Sequence, residues 1–540
     1  MKYYLFPALI ILSGCQSTLL SQNNTDKTYL PPEQVANTAD INQALLADES
    51  IDVIHPVDDV TFSLKGEALP SSDDVWQRIR GQLTFDIPQN KRVVVQRDWY
   101  AKHPSYLTRV AKRAEPFLFY IVEELEKNNV PVELALLPVV ESAFDPFAYS
   151  HGRASGMWQF VPATGTRFNM KQNWWYDGRR DIVASTSGAI QYMKYLHRFF
   201  DGDWLLALAA YNSGEGRVQR AVRKNKKLGR KTDFWSLDLP KETRAYVPKL
   251  LALADIVKRP EQFDLKLYEI NNEEVITQVD IKSQLDLAKA ADLADLSLPE
   301  LQRLNPGFNR WSTDPDGPHR LLIPKHKVAH FEQGLAKLTK EDRLAWQRYK
   351  IKNGDNLGVI AKKFHTSIEL IRQVNAINNN QIRAGKHLLI PVAAKSLDSY
   401  ILSQDQRIAK KQAKPQQGFK VTYNVVSGDN LWDIGQRYKV SSGKIAKWNG
   451  FAPRDPLMLG QKLVIWQKSK APVKASHRRV EQAIMRNITY KVRPGDSFAR
   501  IADKFNVRIS DIERWNSLNR SKYLQPGQRL KLSVDVTNNI

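Results

Sequence analysis

The chain of 540 residues contains a single cysteine, Cys15, so it can form no internal disulfide and offers no thiolate cluster for zinc or iron–sulfur. It also lacks a membrane-spanning run near its start: the apolar stretch 3–12 falls far short of the roughly 20 residues that cross a bilayer as a helix. The ten histidines are scattered with no HExxH pair, and neither a GxxxxGK loop nor a GxSxG elbow occurs. These absences argue against a zinc peptidase, a P-loop nucleotide hydrolase and an elbow-type serine hydrolase, and no metal or cofactor is expected. Acidic residues are scarce as well, 57 against 80 Lys and Arg, leaving a formal charge of +23. Such an excess suits polyanionic surroundings, cell-wall carboxylates and anionic lipid included, but equally a plain solvated basic surface.

What is present describes a globular protein of several domains, since 42% of residues are apolar and 25% charged in a chain too long for one core. The start, MKYYLFPALIILSGC, has a basic residue, a short apolar run and small residues before Cys15, followed by a polar stretch over 16–27. This fits a secretory signal better than a span; a buried N-terminal strand with a free thiol is the alternative. LSGC resembles the lipobox of bacterial lipoproteins. The resemblance implies cleavage before Cys15, so that 1–15 hold the signal peptide and lipidated cysteine. It also implies diacylglycerol plus N-acyl modification, and two or more such chains anchor stably at about 0.8 kcal/mol per buried methylene. Gln16 and Ser17 resemble the signals that send such lipoproteins to the outer membrane. The expected location is therefore lipid-anchored in the outer membrane and facing the periplasm, where nucleic acid is no partner. Residues 16–70 are expected to form an N-terminal extension.

The last third repeats itself. YKIKNGDNLGVIAKKF from Tyr349, YNVVSGDNLWDIGQRY from Tyr423 and YKVRPGDSFARIADKF from Tyr490 each carry a Gly-Asp pair. The pairs Gly354-Asp355, Gly428-Asp429 and Gly495-Asp496 precede Asn375, Asn449 and Asn516 at one constant interval. Each copy opens with an alternating strand and a glycine turn, continues with apolar residues four apart such as Ile434 and Tyr438, and closes on a second glycine turn and an apolar strand. The pattern predicts small βααβ units over 347–392, 421–466 and 488–534, joined by polar, basic, proline-containing linkers over 393–418 and 467–482 that read as tethers. The copies resemble LysM domains. That resemblance implies binding of N-acetylglucosamine-containing glycans between the loop after the first strand and the loop before the last, with the three glycines, aspartates and asparagines just named at the site. The alternative for Asp429 and Asn449 is that they only hold turns and caps together. A further segment, 275–325, has a related rhythm without the Gly-Asp turn and reads either as a degenerate copy or as a helical spacer.

Residues 71–260 read mostly helical. Apolar positions recur at helical spacing through 104–125, as Tyr106, Val110, Phe117, Ile121 and Leu125, and through 182–200, while 205–211 forms a short apolar helix stopping before Asn212, Ser213 and Gly214. Within this region VPVELALLPVVESAFDPFAYS delivers one acidic residue, Glu141, to the end of an apolar run. A carboxyl among apolar side chains is costly to ionise, so its pKa rises and it can hold a proton near neutrality. The ordinary alternative is a capping or salt-bridged glutamate.

The segments ESAFDPFAYS, GMWQFVPATG, ALAAYNSGEGRV and ETRAYVPK follow one another as in the Slt-type lytic transglycosylases, whose catalytic fold is lysozyme-like, of the goose type. The resemblance covers about residues 133–248, with Trp158 departing from the wider family pattern. The fold class expected is thus mainly α, a lysozyme-like catalytic domain followed by small α+β LysM domains. With the lipobox and the repeats, the layout resembles the membrane-bound lytic murein transglycosylase D type.

This resemblance implies that Glu141 is the catalytic acid and base on peptidoglycan glycan strands. It protonates the oxygen between N-acetylmuramic acid and N-acetylglucosamine, and its carboxylate then accepts the proton of the muramoyl 6-hydroxyl, which closes on C1 as a 1,6-anhydro end. Ser142 and Gln159 would orient substrate or Glu141, Tyr246 would donate toward the carboxylate, and Tyr211 and Asn212 would form the cleft wall. Met157, Trp158 and Phe160 would meet sugar faces or pack in the core. An ordinary glycosidase needs a second carboxylate about 5–9.5 Å away; Asp145, Asp177 and Asp181 are candidates, with caps and salt bridges to Arg179 or Arg180 as their other fate. Two rival functions follow, a hydrolytic muramidase and a noncatalytic peptidoglycan-binding scaffold. Protein partners are not legible.

Overall fold

The computed structural model describes residues 74–468 and 485–535, apart from 494–495, 506, 508, 519–523 and 526. The lipobox with Cys15, the extension 16–70, nearly all of the linker 467–482 and Gly495 lie outside the described residues. Among the described residues no helix is long and apolar enough to cross a membrane.

The first part is helical, from Val75–Arg80 to Lys241–Lys258, around one apolar core. The expected periodic stretch 104–125 is two helices, Pro104–Ala114 and Leu118–Lys127. Pro116 causes the break, because it has no N–H to donate to the preceding turn. Helix Ile182–Phe199 begins where Asp181 accepts the Ala184 amide at 2.8 Å, and Trp204–Ser213 begins where Asp203 accepts the Leu206 amide at 2.9 Å. The long helix Lys241–Lys258 crosses the core with Val247, Leu250, Leu251 and Ala252 fully buried. Burying a Val or Leu side chain contributes roughly 1.5–3 kcal/mol, which offsets the bond lost to Pro248 inside this helix.

The remainder is built from βααβ units. Strand Ile276–Asp280 pairs antiparallel with Arg320–Pro324, Ala345–Lys350 with His387–Val392, Phe419–Asn424 with Lys462–Gln467, and Met485–Lys491 with Arg529–Asp535. Two short helices lie between the strands of each pair. A two-stranded sheet is marginal alone; here the helices cover it, as Ile360 and Ile371 pack with the strand residue Ile390 in the second unit.

One asparagine clamps every unit. Asn375 donates to the Ile371 and Leu389 carbonyls and accepts the Leu389 amide. Asn449 does the same with Ile445 and Val464, and Asn516 with Ile512 and Lys531. Asn305 repeats the pattern with Leu301 and Leu322. The segment 275–325 is therefore a unit of the same construction, not a helical spacer.

This first unit is fused to the helical part. The Asp177 amide donates to Gly307 O at 2.8 Å, the Asn309 amide to Trp175 O at 2.7 Å, and Arg320 forks onto Asp181 at 2.8 and 3.0 Å. Gly307 is obligatory at this seam, since a Cβ there would lie 2.7 Å from the Tyr176 ring.

The expected tether 393–418 is not one. Tyr400 within it is fully buried and donates to Asp286 at 2.8 Å. Residues Gln404–Ala413 form a helix, tied by Arg310 to Asp405 at 2.6 Å and by Arg407 stacked 4.9 Å above the Phe147 ring. Its polar composition reflects one exposed face, not independence from the rest of the chain. The described architecture is mixed: a helical part followed by small modules that each pair two strands with two helices.

Candidate active site

Glu141 lies in the last turn of the short helix Leu137–Ser142, which is filled by Leu137, Pro138 and Val139, all buried. The helix stops because Ala143 and Phe144 both take left-handed backbone, φ 51° and 57°. That conformation costs a non-glycine residue about 1–2 kcal/mol. It is held by the amides of Ala143 and Phe144 bonding to Val139 and Pro138 carbonyls and by the fully buried Phe144 ring. The chain thus turns away sharply, leaving the Glu141 carboxyl half-buried at the helix end. Strained backbone beside a titratable group is a recurrent mark of functional sites.

The Tyr246 hydroxyl donates to Glu141 Oε1 at 2.5 Å, and among the described residues Glu141 accepts no other hydrogen bond. Burial pushes the Glu141 pKa up to about 7; the Tyr246 bond and Lys249 pull it down, and the charge of Glu242 adds to the rise. Tyr246 is itself buried, and burial together with Glu141 raises its phenol far above the usual value, so it stays a donor at any physiological pH. Because the phenol occupies Oε1, the acid proton of Glu141 belongs on Oε2.

The other expected residues surround this pair in distinct ways. Ser142 is buried and its hydroxyl donates to Met157 O at 3.0 Å and Pro138 O at 3.2 Å, which fastens the helix to the loop 156–160. Tyr211 donates to Trp158 O at 2.8 Å, fastening the same loop to helix Trp204–Ser213. Burial and the charge of Glu141 raise the Tyr211 phenol well above its usual value. Gln159, also left-handed at φ 49°, donates to Gly156 O at 2.7 Å and stays half-exposed. Asn212 accepts the Thr243 hydroxyl at 2.8 Å and is half-exposed.

Of the two readings of Met157, Trp158 and Phe160, the structure has core packing, not sugar contact. They are at most 2% exposed, and the Trp158 indole donates to Thr186 at 3.2 Å. What this loop presents is backbone, not apolar side chain. The three aspartates are committed. Asp177 is forked by Arg179 at 2.8 and 2.9 Å, and Asp145 accepts the Phe147 amide at 2.9 Å. Asp181 caps its helix and pairs with Arg320, not with Arg179 or Arg180.

The sequence reading passed over Glu242 and Lys249, which both act on Glu141. The signal was available: in ETRAYVPK they lie four before and three after Tyr246, hence on one face of helix Lys241–Lys258. No cluster of three or more metal-ligating side chains occurs among the described residues.

In the repeats the expected glycan residues are largely occupied internally. Asp355, Asp429 and Asp496 accept the hydroxyls of Tyr349, Tyr423 and Tyr490 at 2.8, 2.6 and 2.7 Å. Each also accepts a backbone amide three residues earlier at 2.8 Å. Gly354 and Gly428 have φ 86° with open space around them, so the turn itself requires glycine.

The family described as "Transglycosylase SLT domain" matches residues 119–234. "Lytic transglycosylase MltD, LysM-like domain" matches 275–340, and "LysM domain" matches 349–391, 423–466 and 490–533. Membrane-bound lytic murein transglycosylase D of Escherichia coli strain K12 is 34% identical over 472 residues, covering 86% of this chain and 97% of that protein. A putative tributyltin chloride resistance protein of Alteromonas is 45% identical over 165 residues, 30% of this chain and 79% of that one. Among solved structures, an inactive mutant of lytic transglycosylase Slt from Pseudomonas aeruginosa aligns at 19% identity over 36% of this chain and 33% of its own, with a TM-score of 0.22.

Proposed function

The chain belongs to the membrane-bound lytic murein transglycosylase D family, and from that membership we propose that Glu141 alone performs both proton transfers of a peptidoglycan lytic transglycosylase. The reaction is cleavage of the β-1,4 bond between N-acetylmuramic acid and N-acetylglucosamine. The single observation carrying the site assignment is a carboxyl at the end of an apolar helix with one tyrosine hydroxyl as its partner, a setting in which burial pushes its pKa up to about 7.

Glu141 Oε2 gives its proton to the glycosidic oxygen as the C1–O bond breaks. The carboxylate so formed keeps the Tyr246 bond, which is charge-assisted and stronger at that stage than against the neutral acid. It then takes the proton of the 6-hydroxyl as that oxygen bonds to C1. The ring closes without water and Glu141 regains its proton. An intramolecular nucleophile avoids a bimolecular encounter, which removes the need for the second carboxylate that a hydrolase requires. The commitment of Asp145, Asp177 and Asp181 to arginines, caps and amides agrees with this. Gln159, Tyr211 and Asn212 line the approach, and Ser142 and the Met157 backbone position the helix end. We read the helical part, with the expected bounds 71–260, as the lysozyme-like domain of the family.

The repeats hold the protein on glycan strands through turn backbone and exposed side chains, since their aspartates and asparagines are internally bonded. The relatives' name includes "membrane-bound". We assign attachment to a lipidated Cys15, with the protein facing the periplasm from the outer membrane; Cys15→Ala should release it to the soluble fraction. For the reaction itself, mass analysis of digested glycan strands decides: 1,6-anhydro ends are expected, and reducing ends heavier by one water would replace this reading with hydrolysis. Glu242→Gln should leave the product an anhydro end.

A further inference from the structure

The third βααβ unit, 419–467, touches the helical part just ahead of the active-site loop 156–160. Asp455, in the loop before its closing strand, lies 2.6 Å from Arg153 Nε and accepts the Tyr149 hydroxyl at 2.8 Å. Both partners belong to the hairpin 149–155, which leads into the loop fastened by Ser142 and Tyr211. A second contact supports the first: a Cβ on Gly443, in the first turn of helix Ser442–Asn449, would lie 3.2 Å from the His151 ring of the same hairpin. A third comes from the supposed tether, where Gln412 donates to Asn449 Oδ1 at 2.9 Å and Lys462 O at 3.0 Å. The same helix is pinned to the helical part through Arg407 and Phe147. The unit is thus held at two sides.

The docking group is particular to this unit. Neither of the other Gly-Asp copies has a carboxylate in the corresponding loop, between Asn375 and Gly385 or between Asn516 and Gly527. The groove of this unit is particular too. Val426, Trp432, Met458 and Leu459, on the loops and helix start that flank it, are 55–74% exposed. The backbone pairing of Val425 with Gly460 and Gln461 brings the two loops together. Where Val426 and Trp432 stand, the 345–392 unit has Lys352 and Gly358 and the last unit Arg493 and Ala499. Apolar faces of pyranose rings stack on an exposed indole flanked by aliphatic groups, as other apolar rings do. Docking uses Asp455 at the base of the loop and leaves its apolar tip, Met458 and Leu459, uncovered.

We propose that the 419–467 unit is a fixed glycan subsite of the catalytic head, with Asp455 as a positioning residue, so that a long strand is held beside Glu141 by a rigid site, not by a tethered one. This rests on the transglycosylase reading above. The hairpin does not need Asp455 for its own order: Ser150 bonds to Ala154 O, Ser155 to Phe160 O, and Arg179 holds the Arg153 and Phe160 carbonyls. Undocking should therefore weaken capture of strands long enough to reach both sites and leave the chemistry on short fragments alone.

The test uses the full chain with Asp455→Asn, Arg153→Gln and Gly443→Leu, the last a steric wedge that spares the ion pair's residues. Initial rates are measured on long uncrosslinked strands and on a tetrasaccharide. Each variant should raise KM roughly tenfold on long strands, as loss of a fixed second site predicts, with kcat unchanged and tetrasaccharide kcat/KM within about twofold. Arg153→Gln should add nothing in the Asp455→Asn background, since the two act as one contact. Equal loss on both substrates means a structural role and overturns the proposal, as does no loss on either. Failure of the wild type to release anhydro ends from the tetrasaccharide would instead strike the functional reading beneath it.

Discussion

Glu141 in the helical part and Asp429 in the third βααβ unit are both carboxylates that accept a tyrosine hydroxyl, at 2.5 and 2.6 Å. They differ in everything else around the carboxyl. Asp429 Oδ2 also takes the Val426 amide at 2.8 Å, and Arg437 stands 3.5 Å from Oδ1. In the preceding copy the equivalent Lys352 amide and Tyr349 hydroxyl hold Asp355 below the usual carboxylate range. Glu141 has its phenol and apolar surroundings, and its pKa goes the other way, to about 7. A tyrosine partner therefore does not mark an acid catalyst. The number of donors set against the cost of desolvation decides whether the group is a permanent anion fastening a turn or an acid that can release its proton.

The sharpest break of this comparison is Glu141→Gln, which keeps size and loses the proton. Turnover on glycan strands should fall by at least about 10³-fold, within the range of general acid–base contributions, while Asp429→Asn leaves turnover of a short fragment unchanged. The same Gln variant should be the more stable protein at high pH. Folded Glu141 titrates near 7 against 4.5 for the free side chain, so the folded state holds the extra proton between those values. Its contribution to stability is complete below the window and is lost as pH rises through it, up to about 3 kcal/mol by linkage. Thermal melts at pH 4.5 and 8 should show this fall in the wild type and its absence in Glu141→Gln.

Tyr246→Phe sharpens the comparison from the donor side. The hydroxyl lowers the Glu141 pKa, so without it the acid stays protonated to higher pH and the alkaline limb of the rate profile moves up. The maximal rate should drop roughly 10–100-fold, because one charge-assisted bond to the transient carboxylate, worth about 1.5–3 kcal/mol, is gone. An alkaline limb that moves down, or stays, would mean that Tyr246 holds Glu141 by packing alone.

How much of this was legible follows the same division. Glu141 stood out because an apolar run ended on a lone acid, and the repeats because Gly-Asp and Asn recur at fixed spacing; both are local patterns. The clamp role of Asn449 was open from sequence, since an asparagine between helix and loop serves a ligand or a backbone equally well. Asn305 shows the limit: without a Gly-Asp turn nearby, its loop and the apolar LLIP ending left a degenerate copy and a spacer equally open, although its bonds match the other copies. The Pro116 break was within reach of simple rules. Contacts such as Asp455 with Arg153, or Asp181 with Arg320, join residues far apart in the chain and leave no local trace.

The smallest effects test the clamps themselves. Asn449 is buried, and its loss strands the Ile445 and Val464 carbonyls and the Val464 amide away from water. Asn375 makes the equivalent bonds on a half-exposed edge, where water can replace them. An unsatisfied buried group costs about 1–3 kcal/mol, a net exchange with water nearer 1. Asn449→Ala should thus destabilise its unit by about 2–4 kcal/mol and Asn375→Ala by about 1, read as local opening in hydrogen exchange of the closing strands. Both should leave tetrasaccharide turnover intact, since neither touches Glu141. Equal losses at the two sites would mean that burial does not govern the clamp.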